Sequence, residues 1–182
     1  MKKLPKIITK DEFELIFSKA LEIERKTKLE SRKRRIKSYR IAMLLGFESG
    51  MRISEIVGFK EHIPKLMPDN VREADIIIRA GKGQKDRIVP RPKRLNSKAV
   101  SMLPLNIKRR ALQYFVSMLG TKVLQKDITF HTLRHGFGSH LAGSNRPLHE
   151  IQMLMGHSKL ETTGIYLHAN PKQAVQGARE VF

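Results

Sequence analysis

One β-branched run, Ala74-Asp-Ile-Ile-Ile-Arg-Ala80, interrupts a chain whose other apolar residues recur at helical spacing. Such a run reads as a strand. Gly81-Lys-Gly83-Gln-Lys supplies a turn, and Asp86-Arg-Ile-Val89, stopped by Pro90, supplies the returning strand. The rest reads as helices. Over 9–25, Phe13, Ile16, Phe17, Ala20 and Leu21 share one face behind a Thr9 or Asp11 cap. The polar stretch 26–35 reads as a basic loop or exposed helical turn, and 36–47 as a core helix stopped by Glu48-Ser-Gly50, with Gly50 suited to a left-handed cap. A short helix starts near Ile53, and further helices are expected over 104–119, 131–142, 148–155 and 171–181. The expected fold is therefore mainly α with a small antiparallel β-hairpin, an α+β class chain. Its 182 residues suit one domain, with 1–8 a linker-like start and 170–182 a C-terminal tail helix.

Charge narrows the class of partner. Lys and Arg total 36 against 17 acids, a net +19. The excess is concentrated in 22–40, with nine Lys/Arg and three Glu, and in 79–98, with eight Lys/Arg and one acid. Such clusters favour a polyanion, most often nucleic acid, over a membrane surface, for which no basic amphipathic helix with aromatics is present. No apolar run reaches the roughly 20 residues of a membrane helix, and the first residues lack the apolar stretch of a secretory signal. With no cysteine there is neither a disulfide framework nor a thiolate metal site, and a cytoplasmic setting is the default.

The residues with chemical potential are scattered but ordered. Arg52 opens a helix with Glu55 three residues on, which is either a surface ion pair or a guanidinium held by a carboxylate and aimed at a phosphate. Lys82 sits in the glycine-rich turn, which matches neither a Walker loop nor a Rossmann turn. His131 and Arg134 fall on one helix face. His131 and His135 have metal-pair spacing, but a third ligand and the H-E-x-x-H pattern are missing, so no metal is expected. Tyr166 follows His157 by nine residues and is one of three tyrosines, with Tyr39 and Tyr114.

The tracts Ser-Gly-Met-Arg-Ile-Ser-Glu-Ile, Gly-Lys-Gly-Gln-Lys-Asp-Arg-Ile-Val-Pro, His-Thr-Leu-Arg-His-Gly-Phe and Leu-Met-Gly-His through Tyr166, in that order, resemble the tyrosine recombinase or phage integrase family, in particular its Xer-type catalytic domains. The resemblance implies a site-specific recombinase or integrase that cuts and rejoins double-stranded DNA without a metal or other cofactor. Tyr166 would attack the scissile phosphate and form a 3′-phosphotyrosine bond. Arg52 and Arg134 would hold the non-bridging oxygens, and His157 would add a hydrogen bond. Lys82 would protonate the leaving 5′-oxygen, His131 would assist deprotonation of the tyrosine, whose ordinary pKa is about 10, and Glu55 would orient its neighbours.

The family usually adds an N-terminal core-binding domain, and this chain is expected to start at about the boundary after it. Self-association on DNA into a tetrameric synapse, with exchange of the C-terminal helix carrying Ala174, Val175, Ala178 and Val181, is a further implication of the resemblance. Two rivals remain at this level. A type IB topoisomerase shares the phosphotyrosine chemistry and would relax DNA without a defined site. A catalytically idle DNA-binding fragment would bind with steep salt dependence and form no covalent adduct.

Overall fold

The computed structural model describes residues 7–59, 62–79, 86–144 and 146–156. Helix α1 (Lys10–Lys26) starts at a capping box. The Thr9 hydroxyl accepts from the Glu12 amide at 3.2 Å, and the Glu12 carboxylate accepts from the Thr9 amide at 3.0 Å. Helix α2 (Glu30–Glu48) runs through the centre of the molecule. From Ile41 to Phe47 every residue is buried, as a helix covered on all sides requires. Phe13 of α1 stacks on Phe47 of α2, with ring centroids 4.1 Å apart. Of the two readings of the basic stretch 26–35, the exposed helix holds for most of it. Only 27–29 break the helix, because Glu, Lys and Arg are good helix formers and extend α2 outward from its buried half.

Gly50 ends α2 at φ +63°, a left-handed position that glycine adopts without a Cβ clash. The Met51 amide turns back to the Leu45 carbonyl at 3.2 Å. This sharp turn delivers the chain into α3 (Ile53–Val57). A single 3-10 turn (Pro68–Asn70) then leads to the two-stranded antiparallel sheet of β1 (Asp75–Ile78) and β2 (Arg87–Pro90). Its register pairs Asp75 with Pro90 and Ile78 with Arg87. Ile76, Ile78 and Val89 point into the core, while Ile88 faces solvent. The Ser49 hydroxyl donates to the Pro90 carbonyl at 2.7 Å, which ties the end of β2 to the end of α2.

A short α4 (Ser97–Val100), capped by the Asn96 side chain on the Ala99 amide, precedes α5 (Arg109–Leu119). The helix expected from 104 therefore starts five residues later. Leu103 and Leu105 are both buried, and residues two apart reach the same core from an extended chain but not from a helix. A π-helical turn (Gly120–Leu124) follows. Helix α6 (Phe130–Gly143) packs across α2, and α7 (Leu148–Met155) is held to it by Phe137, Ile151 and Met155. The sequence expectation of a mainly α fold with one small antiparallel sheet holds among the described residues.

Candidate functional site

Three arginines from three different elements meet at the C-terminal end of α7. Arg52 precedes α3, Arg87 opens β2, and Arg134 lies one turn into α6. The last four carbonyls of a helix have no partner within it, and their dipoles make that end negative. Here three consecutive residues each give their carbonyl to a guanidinium. Arg87 Nε donates to the Leu154 oxygen at 3.0 Å, Arg134 Nη2 to the Met155 oxygen, and Arg52 Nη2 to the Gly156 oxygen at 2.9 Å. Gly156 closes the helix at φ +59°, and a Cβ there would lie 2.8 Å from Arg87 Cδ. Both its backbone angle and the nearness of Arg87 call for glycine.

Glu55 is the acid that holds this cluster. Its Oε1 and Oε2 accept a bidentate pair from Arg87 at 2.6 and 2.8 Å. Oε1 also accepts from Arg52 Nη1 at 2.9 Å, and Oε2 from the Arg52 amide at 2.6 Å. Burial alone would raise the carboxyl's pKa, yet the Arg87 bonds and charge, reinforced by Arg52, hold it below the 4.5 of an ordinary glutamate. The pair predicted at Arg52 and Glu55 is thus anchored on a buried carboxylate, since Glu55 is only 6% exposed.

Arg52, whose side chain is 33% exposed, is the guanidinium that faces solvent. Arg134 is 1% exposed and lies beneath it, with Nη1 donating to the Gly50 carbonyl as well. His131 sits on the surface one turn before Arg134. The bulk of the surrounding protein, then the nearby Arg134 and Arg52 charges, lower its pKa, so the ring is neutral at neutral pH and able to accept a proton. His135 lies edge-on to it with ring centroids 4.4 Å apart, and burial followed by the His131 and Arg134 charges pushes it down to about 4. Among the described residues, no group of three His, Cys, Asp or Glu surrounds this pair to hold a metal ion.

The structure therefore brings together Arg52, Glu55, His131 and Arg134. Lys82, His157 and Tyr166 lie outside the described residues, as does the expected tail helix. Tyr39, one of the other two tyrosines, is buried against Phe115, and Tyr114 is 74% exposed. Arg87 enters the sequence reading as a strand residue within a basic run and a family-like tract, with no role of its own at the site. Its signal lay in strand alternation, which places it on the same face as buried Val89, where a cation needs a buried acid. The basic run 79–98 is also less free than its charge suggested. Arg91 donates to the Leu95 and Arg72 carbonyls, and Arg94 binds Glu14 and Glu48 while lying over the Phe17 ring at 4.5 Å. In the run 22–40, Lys26, Lys33 and Arg40 pair with Glu22, Glu30 and Glu24, while Arg25, Lys28, Arg32, Arg34 and Arg35 are exposed.

Comparison with known proteins bears on the family and the fold. Residues 97–173 match the phage integrase family. The tyrosine recombinase XerC of Pseudomonas fluorescens is 33% identical over 68% of this chain and 46% of its own length. The tyrosine recombinase XerD of Staphylococcus aureus is 31% identical over 76% of this chain and 53% of its own. The chain thus spans about half the length of these relatives. The backbone superposes on a XerH site-specific recombinase bound to its difH substrate with TM-score 0.72 at 21% identity, covering 99% of this chain and 55% of that one. It also matches the catalytic domain of bacteriophage HP1 integrase with TM-score 0.63 at 18% identity, covering 95% of this chain and 93% of that one. With its fold matched by solved recombinase domains and its sequence by XerC and XerD, the chain belongs to the phage integrase family of tyrosine recombinases.

Proposed function

We propose that this chain is the catalytic part of a site-specific DNA recombinase, which cuts a DNA strand through a 3′-phosphotyrosine bond on Tyr166 and rejoins it. The observation that carries the reading is the solvent-facing Arg52 beside the exposed His131, with Arg134 buried in the same cluster, at the helix end from which the sequence leads straight to His157 and Tyr166. On this reading Arg52 binds a non-bridging oxygen of the scissile phosphate directly. Arg134 adds its charge from below the surface, where low dielectric lengthens its reach. His131 takes the Tyr166 proton, Lys82 returns one to the leaving 5′-oxygen, and His157 donates to the phosphate. The phosphotyrosine bond conserves the energy of the broken phosphodiester, so rejoining requires no external energy source.

The proposed partner is double-stranded DNA in a cytoplasmic, nucleoid-associated setting, with the exposed basic face of α2 available to phosphates. XerH has been solved on its difH substrate both before and after cleavage, and DNA complexes are also known for the Tn1549 integrase. Assembly of four copies on DNA, with exchange of the C-terminal helix, extends the same proposal.

The test is incubation with nicked, end-labelled duplexes of randomised sequence, followed by denaturation in SDS and detection of DNA-linked protein. Tyr166→Phe abolishes the adduct, while Tyr114→Phe retains it. Arg52→Ala slows adduct formation by about 100- to 1000-fold, as loss of a donor to a developing oxyanion does, with a much smaller change in DNA affinity. DNA binding without any adduct would establish the idle-module reading instead, and an adduct mapped to Tyr39 or Tyr114 would displace Tyr166.

A further inference from the structure

Arg87 makes a closed circuit with the proposed site without itself facing solvent. Its side chain is 9% exposed, and three donors are engaged: Nη1 and Nη2 on the two Glu55 oxygens and Nε on the Leu154 carbonyl. From Glu55 the circuit passes to Arg52 through its amide and Nη1, and from Arg52 Nη2 to the Gly156 carbonyl, two residues beyond Leu154. Three elements that are distant in sequence are thereby locked in one ring: β2, the start of α3 and the end of α7. Arg52 alone would be a long, partly exposed side chain with several accessible rotamers. Glu55 removes that freedom only if its own carboxylate is fixed, and the bidentate fork of Arg87 fixes both oxygens in a plane.

We propose that Arg87 is a positioning residue for strand cleavage. It sets the orientation of the Arg52 guanidinium through Glu55 and, through Leu154, the point from which the chain departs towards His157 and Tyr166. This rests on the recombinase reading for its chemistry, but not for its geometry. A lysine cannot replace Arg87, because one ammonium group cannot span both Glu55 oxygens and the Leu154 carbonyl in one plane.

The experiment compares the full chain with Arg87→Met, Arg87→Lys and the double variant Arg87→Met with Glu55→Gln. It measures the first-order rate of adduct formation at saturating randomised nicked duplex, DNA affinity, thermal unfolding, and hydrogen exchange of the DNA-free protein. Arg87→Met slows cleavage by roughly 10- to 100-fold, the effect of a misplaced reacting group, while DNA affinity changes less than about threefold. Arg87→Lys recovers only part of the rate. The double variant is the decisive arm. Neutralising Glu55 removes the buried carboxylate left short of its partner, so unfolding moves back towards the wild-type temperature, yet cleavage stays slow and no slower than in Glu55→Gln measured alongside it, because Arg87 acts on Arg52 through Glu55. Hydrogen exchange of Arg87→Met rises together at the amides of 52–55 and 154–156.

A purely structural role for Arg87 would show as cleavage recovering in step with stability in the double variant, or as Arg87→Met cleaving at the wild-type rate. Either result overturns the proposal. If the wild-type chain forms no adduct, the recombinase reading fails, and exchange decides the positioning circuit by itself. Exchange that rises at only one of the two segments overturns it.

Discussion

Replacing Glu55 by glutamine keeps the shape of the side chain, removes its charge and sets an amide donor against guanidinium donors. The carboxylate accepts four bonds of 2.6 to 2.9 Å from Arg52 and Arg87. Hydrogen bonds to charged groups contribute about 1.5–3 kcal/mol each, or roughly 6–12 kcal/mol gross for the set. Removing the carboxylate and Arg87 from water costs several kcal/mol per ion, which offsets much of that gain. What the variant loses is therefore close to the cost of leaving one buried partner uncompensated, about 3–5 kcal/mol. For a chain of this length, 1 kcal/mol corresponds to about 2–4 °C, so thermal unfolding followed by circular dichroism at pH 7 should fall by about 6–20 °C. The pH dependence has a defined sign. The folded-state pKa of Glu55 lies below the ordinary 4.5, so its contribution is complete above 4.5 and is lost as pH falls through the folded value. The gap between wild type and Glu55→Gln should be flat near neutrality and shrink below pH 4.5. A gap under about 1 kcal/mol at pH 7 would refute the reasoning, since that is the size of an exposed ion pair. So would a gap that widens on acidification.

Two other outcomes are expected. Gly50→Ala forces a side chain onto φ +63° with its Cβ 2.3 Å from the Phe137 ring, so left-handed strain and overpacking together should destabilise by about 2–5 kcal/mol, read as a lower urea midpoint at unchanged slope. In an NMR titration, His131 should protonate below 6.5 and His135 near about 4. Arg52→Gln should move the His131 midpoint upward by removing a nearby positive charge, and an unmoved midpoint would separate the two residues.

What could be read from the sequence was local. Thr9 or Asp11 announces the start of α1, Gly50 the end of α2, and the Asp75-Ile-Ile-Ile run the strand, because each depends on residues a few positions apart. Arg52 and Glu55, three apart, belong to that class as well. Arg87 does not. Its partners are 32 and 67 positions away, and strand alternation alone shows only that a cation faces the core, not which acid meets it. Arg94 misled for the same reason. Its carboxylates, Glu14 and Glu48, are 80 and 46 positions distant, so a residue read as part of a polyanion-facing run is engaged in holding α1 to α2. The helix expected from 104 rests on Leu105 and Ile107 continuing the apolar stripe of Leu112, Phe115 and Val116, whereas the burial of Leu103 and Leu105 that overrides it is a tertiary fact.

The circuit around Glu55 also explains how a positive site can stay folded while waiting for an anion. Among the described residues of this circuit, Arg52, Arg87 and Arg134 bring three positive charges and Glu55 one negative charge into a small, mostly buried volume. Like charges at such separations repel strongly where the dielectric is low. The carbonyls of Leu154, Met155, Gly156 and Gly50 moderate that repulsion with dipoles rather than with more acid. A second carboxylate in their place would stabilise the empty protein and neutralise the field needed for a phosphate. Carbonyl dipoles hold each guanidinium in place but leave its net charge intact. On the proposed chemistry, the field is then satisfied only when the phosphodiester enters, and most fully when cleavage adds negative charge to it, which is the differential stabilisation that accelerates a reaction.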